Sequence, residues 1–441
     1  MSTDGYLVSV GDQSHRLGVN GTVVIDGLTP GAYTVQLSEA PPNCTPSGGP
    51  ERSITVRPAA MEALTYHITC AERGHIAFAI ADSLYLAEED GSGLKKLSSE
   101  GVLDGLQWSP RADLLLYRHD IDRLHLVNTV DGSEIQPSTA IDGTALLDEC
   151  RALWSPDGSA FVFEATLRQG ATSAYELFVY DVATDASRRL TNLDTVRQST
   201  PGALVSSASW SPSGDRVAYC AHLDATQQWD LLVVNADGTG RHRLTDTPGS
   251  DCLSDWSPDA QRLVFASERT GRAELFTVSP AGEDLNQLTT SAGTQLEMPD
   301  PTWSPDGLRV AFLRFDVTCR LYTLFVTTVS SRETLELGRC TRSFQWSPHG
   351  QMIAWSQSTQ DDSGEVYIAQ ADGTSVVNLS RHAADDRRPQ WSPDGSRVAF
   401  SSDRTGRVRV FVANVSGSGT DQMALPGDLD ADVRLHTWRP Q

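Results

Sequence analysis

Tryptophan recurs along this chain at almost constant spacing, and that spacing constrains the architecture more than any other feature. Eight copies fall at Trp108, Trp154, Trp210, Trp256, Trp303, Trp346, Trp391 and Trp438, separated by 46, 56, 46, 47, 43, 45 and 47 residues. Most copies continue with Ser-Pro and then Asp-Gly or a variant: WSPDG at 154, 303 and 391, WSPSG at 210, WSPHG at 346, WSPDA at 256, WSPRA at 108, and only WRP at 438. A period in the forties, filled with short strand-like runs, is the sequence signature of a β-propeller.

Each repeat reads alike. A short strand leads into the Trp, the S-P-D-G turn follows, and a strongly apolar strand comes next, as at 262–265, 309–312 and 397–400. A third strand, as at 231–234 or 366–369, runs into an Asp-Gly hairpin such as those at Asp90, Asp131, Asp237 and Asp372. The fourth strand ends in Leu-Thr or Leu-Ser, as at Leu190, Leu244, Leu288 and Leu379. Residues 75–98 supply strands two to four without a leading Trp strand, and 433–438 supply a leading strand with nothing after it. Together they make one composite repeat. The expected fold is therefore all-β: an eight-bladed propeller closed by the C-terminal strand, with seven blades the runner-up. Such closure removes exposed sheet edges.

Residues 1–70 lack the repeat. They alternate polar and apolar residues over 6–10, 21–25, 32–37, 53–56 and 63–68, with Gly, Pro and Asn between the runs. That pattern predicts a small antiparallel β-sandwich as a first domain (1–70), followed by the propeller (71–441). The segment IDGLTPGAYTVQL resembles prealbumin-like and carboxypeptidase-regulatory-like sandwich domains. A bridge between Cys44 and Cys70 is expected to stabilise this small unit by roughly 3 kcal/mol.

The copies WSPDGSRVAFSSDRTG at 391–406 and WSPDAQRLVFASERTG at 256–271, with their D-G hairpins and L-T ends, resemble the TolB-type propeller repeat. The resemblance covers 75–441. It implies the fold and not one function, because similar repeats occur in periplasmic import proteins, serine peptidases and polysaccharide lyases. The Trp and turn residues read as structural. Asp403–Arg404 and Glu268–Arg269 read as local loop pairs.

A net charge of −22 argues against nucleic acid and anionic membranes as partners. No run approaches the ~18 apolar residues of a membrane span, so no membrane insertion is expected. The polar N-terminus shows no leader, whereas the seven cysteines point to an oxidising compartment. Cys220 with Cys252, and Cys319 with Cys340, stand in similar relations across neighbouring repeats and are expected to form bridges, leaving Cys150 over. A periplasmic or extracellular location is the expectation, in which case the leader is missing from this sequence; the alternative is that the protein stays where it is made.

The strand order puts the W-S-P-D-G turns and D-G hairpins on one face. The loops after the apolar strand and the links between blades share the other. That second face carries the more variable segments, including 166–174 and 192–206, and is the expected binding face. Four positions before the Trp, Arg342, Arg387 and Arg434 repeat, joined by Arg388. They are candidates for an anion site at the channel mouth. The competing reading pairs them with Asp316, Asp361, Asp385, Asp386 or Asp403. His119, His222 and His436 are further candidates at the mouth. No catalytic set, metal site or cofactor is read from the sequence.

The favoured function is non-enzymatic: a monomeric binding protein of the bacterial cell envelope whose loop face takes a protein, peptide or glycan. The alternative is a polysaccharide lyase or hydrolase working in the channel, with metal dependence an option.

Overall fold

A computed structural model of the chain describes residues 6–17, 22–38, 44–46, 49, 51–58, 61–70, 74–81, 83–98, 102, 104–111, 113–120, 123–137, 145–146, 152–169, 172–193, 204–223, 228–290, 300–358, 363–416, 420–422 and 432–440. Among these residues there is no helix, and so none long and apolar enough to cross a membrane. By its internal contacts the chain divides into Met1–Arg73 and Gly74–Gln441.

The first unit holds an antiparallel sheet in the order Gln13–Leu17, Tyr6–Val10, Gly31–Ser38, Glu51–Val56. A separate pair joins Cys44–Pro46 to Ile68–Cys70. Val8, Val10, Val35 and Leu37 form its core. Two expected strands are corrected. Residues 22–25 and 63–67 form no strand. Ile25, Leu64 and Tyr66 still pack on the core, and side-chain bonds take the place of backbone pairing. Tyr66 Oη donates to the Val35 carbonyl at 2.9 Å, and Arg52 donates to the Thr65 carbonyl at 2.9 Å. Conversely, Gln13–Leu17 forms an edge strand that its polar sequence does not signal. The backbone register sets Cys44 opposite Cys70. The bridge expected there rests on side chains outside the described set, as does Cys150.

In the second unit, the described strands fall into eight antiparallel groups of four, two of which share the long strand Thr334–Trp346. Their leading strands, in order, are Val433–Trp438 (group 1), Asp104–Trp108, Ala152–Trp154, Val205–Trp210, Asp251–Trp256, Pro301–Trp303, the end of Thr334–Trp346, and Asp386–Trp391 (group 8). Group 3 also pairs Ala145–Leu146 with its second strand.

Tryptophan joins one group to the next. The indole N–H of Trp256 donates to the Ser209 carbonyl at 3.2 Å, and that of Trp210 to the Leu153 carbonyl at 3.0 Å. Trp346 reaches Thr302 at 3.3 Å and Trp391 reaches Gln345 at 3.1 Å. In every case the acceptor is the residue just before the preceding Trp. The rule carries through the tail: Trp108 donates to Thr437 at 3.4 Å, and Trp438 to Gln390 at 3.0 Å. Trp154 and Trp303 are the exceptions. Their buried indole nitrogens show no such bond, and their leading strands are only three residues long.

Apolar packing follows the same order. One cluster sets Trp256 with Ala218 and Leu231 of the preceding group. Another sets Trp391 with Ala354 and Ile368. A third joins Ile76 and Phe78 of group 1 to Val410 and Val412 of group 8, with Trp438 in the seam. Val433–Trp438 pairs antiparallel with His75–Ile80, Val433 opposite Ile80 and Trp438 opposite Ile76. Arg397 of group 8 forms an ion pair with Glu89 after the third strand of group 1.

The turn chemistry explains the rest of the motif. Ser304 Oγ donates to Asp306 Oδ1 at 2.6 Å, and the same carboxylate oxygen accepts the Leu308 amide at 3.0 Å. Gly307 then takes φ 71°, a conformation that penalises any Cβ. Successive turns also nest closely: a Cβ on Gly350 would lie 2.7 Å from the Asp306 amide nitrogen. The Leu-Thr ends are equally specific. Thr289 Oγ1 accepts the Leu275 amide at 3.0 Å and donates to Glu274 at 2.5 Å.

Replacing Trp438 by Ala is expected to cost about 3–5 kcal/mol, because it empties the seam and removes the indole bond. Urea unfolding midpoints check this against Val376→Ala, an exposed control expected to stay within about 0.5 kcal/mol.

Candidate functional site

On the face opposite the W-S-P-D-G turns, the leading strands of several groups carry a bulge. Pairing is interrupted between Ser206 and Ser209 and between Cys252 and Ser254. The bulge places Ser207 at φ 56° and Leu253 at φ 52°. Gly105 and Arg388 hold the equivalent places at φ 69° and 57°. A bulge re-aims the side chains around it and is common beside binding sites.

Between groups 4 and 5 these bulges border a cleft of about 290 Å³ lined by Ser206, Ser207, Trp229, Ser250, Cys252, Leu253 and Glu268. Trp229 begins the third strand of group 4, and its ring lies 4.0 Å, centroid to centroid, from His222 directly across the ladder. The Ser250 Oγ accepts the Trp229 amide at 3.4 Å. Glu268 is anchored twice to Ser250. Its amide donates to the Ser250 carbonyl at 3.0 Å, and its carboxylate accepts the Ser250 amide at 3.3 Å. The Ser207 amide donates to Glu164 of group 3 at 3.0 Å.

The wall of this cleft is covalent. Cys220 of group 4 and Cys252 of group 5 form a disulfide with Cα atoms 5.4 Å apart. The second disulfide, Cys319 to Cys340, joins the tip of a group 6 hairpin to the strand that crosses into group 7, at 5.8 Å. Only the first strictly links separate sheets. In the chain-entropy picture each is worth about 3 kcal/mol.

Arg269 beside Glu268 turns inward. It pairs with buried Asp251 at 3.0 Å, donates to Ser267 Oγ at 2.7 Å and stacks over Phe276 at 4.8 Å. Arg404 repeats this with Asp386 at 3.1 Å, Ser402 at 2.9 Å and Phe411 at 4.5 Å. The local pairs expected from the sequence, Glu268–Arg269 and Asp403–Arg404, are thus corrected. The true partners are aspartates 18 residues earlier, at the start of the leading strand. Further along the group 5 leading strand, burial pushes the Asp255 carboxyl up to about 6, against the lowering effect of the Trp303 and Trp256 amides that donate to it at 2.8 and 3.0 Å.

The described sequence candidates each have their own local setting. Arg342 donates to Ser358 Oγ at 3.1 Å, and Arg387 is held by Asp385 at 2.6 Å, the competing reading for that residue. Arg388 is exposed, and the Arg434 side chain lies outside the described set. His119 sits beside His125 in group 2 at 5.0 Å, and His222 belongs to group 4. His436 is corrected from the mouth to the interior. It is buried against group 8 with Nδ1 3.2 Å from Ser401 Oγ, because two residues before the Trp the strand faces the neighbouring sheet. Among the described residues, no three His, Cys, Asp or Glu are grouped as metal ligands. Nothing in the sequence marks the cleft itself, although 192–206 belongs to the expected binding face. Residues 194–203 of that segment lie outside the described set.

A family model described as the TolB beta propeller domain matches residues 154–300 and 292–437. A protein TolB homolog of Chlorobium luteolum is 31% identical over 159 residues, covering 36% of this chain and 35% of that protein. The Tol-Pal system protein TolB of Francisella tularensis subsp. mediasiatica is 24% identical over 247 residues, covering 54% of this chain and 53% of that protein. The chain therefore matches only about a third to a half of the length of these relatives. The solved oligogalacturonate lyase of Vibrio parahaemolyticus superposes with a TM-score of 0.51 at 13% identity, over 78% of this chain and 97% of that one. At that identity the likeness shows the fold alone.

Burial pushes the His436 imidazole down to about 4, with the Arg388 guanidinium adding to the effect. The unfolded chain then binds the extra proton first, so stability is lost as pH falls from about 6.5 towards 4, by an amount on the order of 2–3 kcal/mol. His436→Asn is expected to remove that part of the acid sensitivity. Unfolding midpoints from pH 7 to pH 4 check this, together with NMR titration of the ring.

Proposed function

The chain belongs to the TolB β-propeller family, and from that premise we propose that it is a non-enzymatic binding protein of the bacterial cell envelope. In this reading Gly74–Gln441 is an eight-bladed ring closed by Val433–Trp438, and a separate N-terminal β-sandwich precedes it. The loop face takes a protein, peptide or glycan. The observation that carries the reading is the cleft between groups 4 and 5: an indole, three serines and a carboxylate around about 290 Å³. A concave site with an aromatic wall and a few fixed polar groups is what recognition uses.

Two further features support the envelope setting. The disulfides Cys220–Cys252 and Cys319–Cys340 fit an oxidising compartment. The resemblance to periplasmic import proteins points the same way, as does the Tol-Pal name carried by one relative. The charge of −22 supports partners that are not nucleic acid.

Capture of envelope proteins and glycans on the immobilised chain tests the reading. Saturable capture is expected to drop at least tenfold on Trp229→Ala and to survive Asp372→Ala on the opposite face. Capture blocked only by Asp372→Ala would reverse the assignment of faces. Catalytic depolymerisation of an added polysaccharide would replace this reading with the lyase or hydrolase alternative.

A further inference from the structure

We propose that the cleft between groups 4 and 5 recognises a guanidinium, namely an arginine side chain presented by a peptide segment of a partner. The proposal rests on the reading of the loop face as a binding surface and adds the chemistry of what binds there.

The lining combines an indole with an anion. Trp229 supplies the aromatic surface with the largest quadrupole, which attracts cations lying over the ring. His222 packs against that indole across the ladder and holds its orientation. Glu268 supplies the carboxylate, which accepts the Ser250 amide, while the Glu268 backbone amide donates to the Ser250 carbonyl. Among the described residues Glu268 has no ion-pair partner, because the adjacent cation, Arg269, is committed to Asp251 and Ser267. A carboxylate positioned in this way, without an internal cation, is complementary to one brought from outside.

Geometry and field narrow the class further. A guanidinium is flat, stacks on an indole, and pairs with a carboxylate through two parallel N–H bonds. Its remaining N–H groups face acceptors: the hydroxyls of Ser206, Ser207 and Ser250 line the same cleft. The volume of about 290 Å³ suits a side-chain terminus rather than a folded element. The net charge of −22 raises the local concentration of cations and disfavours acidic sugars. A neutral sugar would use the indole and the serines but leave the Glu268 charge uncompensated.

Ligand-observed NMR titration of the full chain with acetyl-Gly-Arg-Gly-amide tests the proposal, with acetyl-Gly-Gln-Gly-amide and a neutral hexose as comparison ligands. The arginine peptide is expected to bind saturably with a Kd of about 1 mM, as suits one anchored side chain. Affinity is expected to fall at least fivefold in Glu268→Gln, at least fivefold in Trp229→Leu, and with added salt. Thermal unfolding shows whether each variant remains folded. A Glu268→Asp variant covers the case where the neutral amide disturbs the Ser250 contacts, and it is expected to retain part of the binding. Equal binding of the glutamine peptide, or unchanged affinity in folded Glu268→Gln, overturns the proposal. Hexose binding without arginine binding overturns it while leaving loop-face recognition in place. Silence of all three ligands, with Trp229-sensitive capture of an envelope component intact, does the same. Loss of both defeats both readings.

Discussion

The bond from six of the eight motif tryptophans to the carbonyl just before the previous one is the contact on which the second unit depends. It works only if the ring lies flat in the seam between two sheets, so the bond and the burial of the large apolar surface are achieved together. A single repeat offers neither partner, and its stability is therefore borrowed from its neighbours. The same rule runs from Trp438 to Gln390 and from Trp108 to Thr437. The tail strand thus stands in the series like any other leading strand, although it is separated in sequence by more than three hundred residues from the group it completes.

Around these links the motif distributes its remaining work among residues with separate tasks. Serine and aspartate of the turn satisfy each other and the amides that follow. The threonine of the Leu-Thr end ties the third strand to the fourth and caps a buried acid. Inward arginines such as Arg269 and Arg404 neutralise buried aspartates while spreading over two phenylalanines. Removing one member of such a pair leaves an uncompensated charge in the interior, which costs more than the pair itself contributes.

Much of this was legible in advance. The period of Trp108 to Trp438 and the strand order within each repeat follow from spacing and turn residues alone. The partners of Arg269 and Arg404 were not legible, because the aspartates lie 18 residues away and meet the arginines only once the bulged leading strand folds back on the second strand. His436 lies on the same side of its strand as Trp438, two residues on, and so faces the seam rather than the mouth. The cleft escaped notice because Ser206, Ser207, Ser250 and Glu268 are ordinary loop residues in sequence. Only the repeated Cys220–Cys252 relation hinted that something was held together there. In the N-terminal unit, alternation alone does not separate a paired strand from a segment that merely packs, as Leu64 and Tyr66 do.

The two junctions without an indole bond, before Trp154 and before Trp303, are each preceded by a shortened leading strand. Other polar bonds span these seams: Gln107 donates to the Ala152 carbonyl at 2.9 Å in one, and in the other Asp255 accepts the Trp303 amide at 2.8 Å beside the Arg314–Glu274 pair. The junction that forms the cleft has an indole bond, an apolar seam and a covalent bridge at once. Those three ties fix its two sides, and a guest entering it meets walls already set at their final separation.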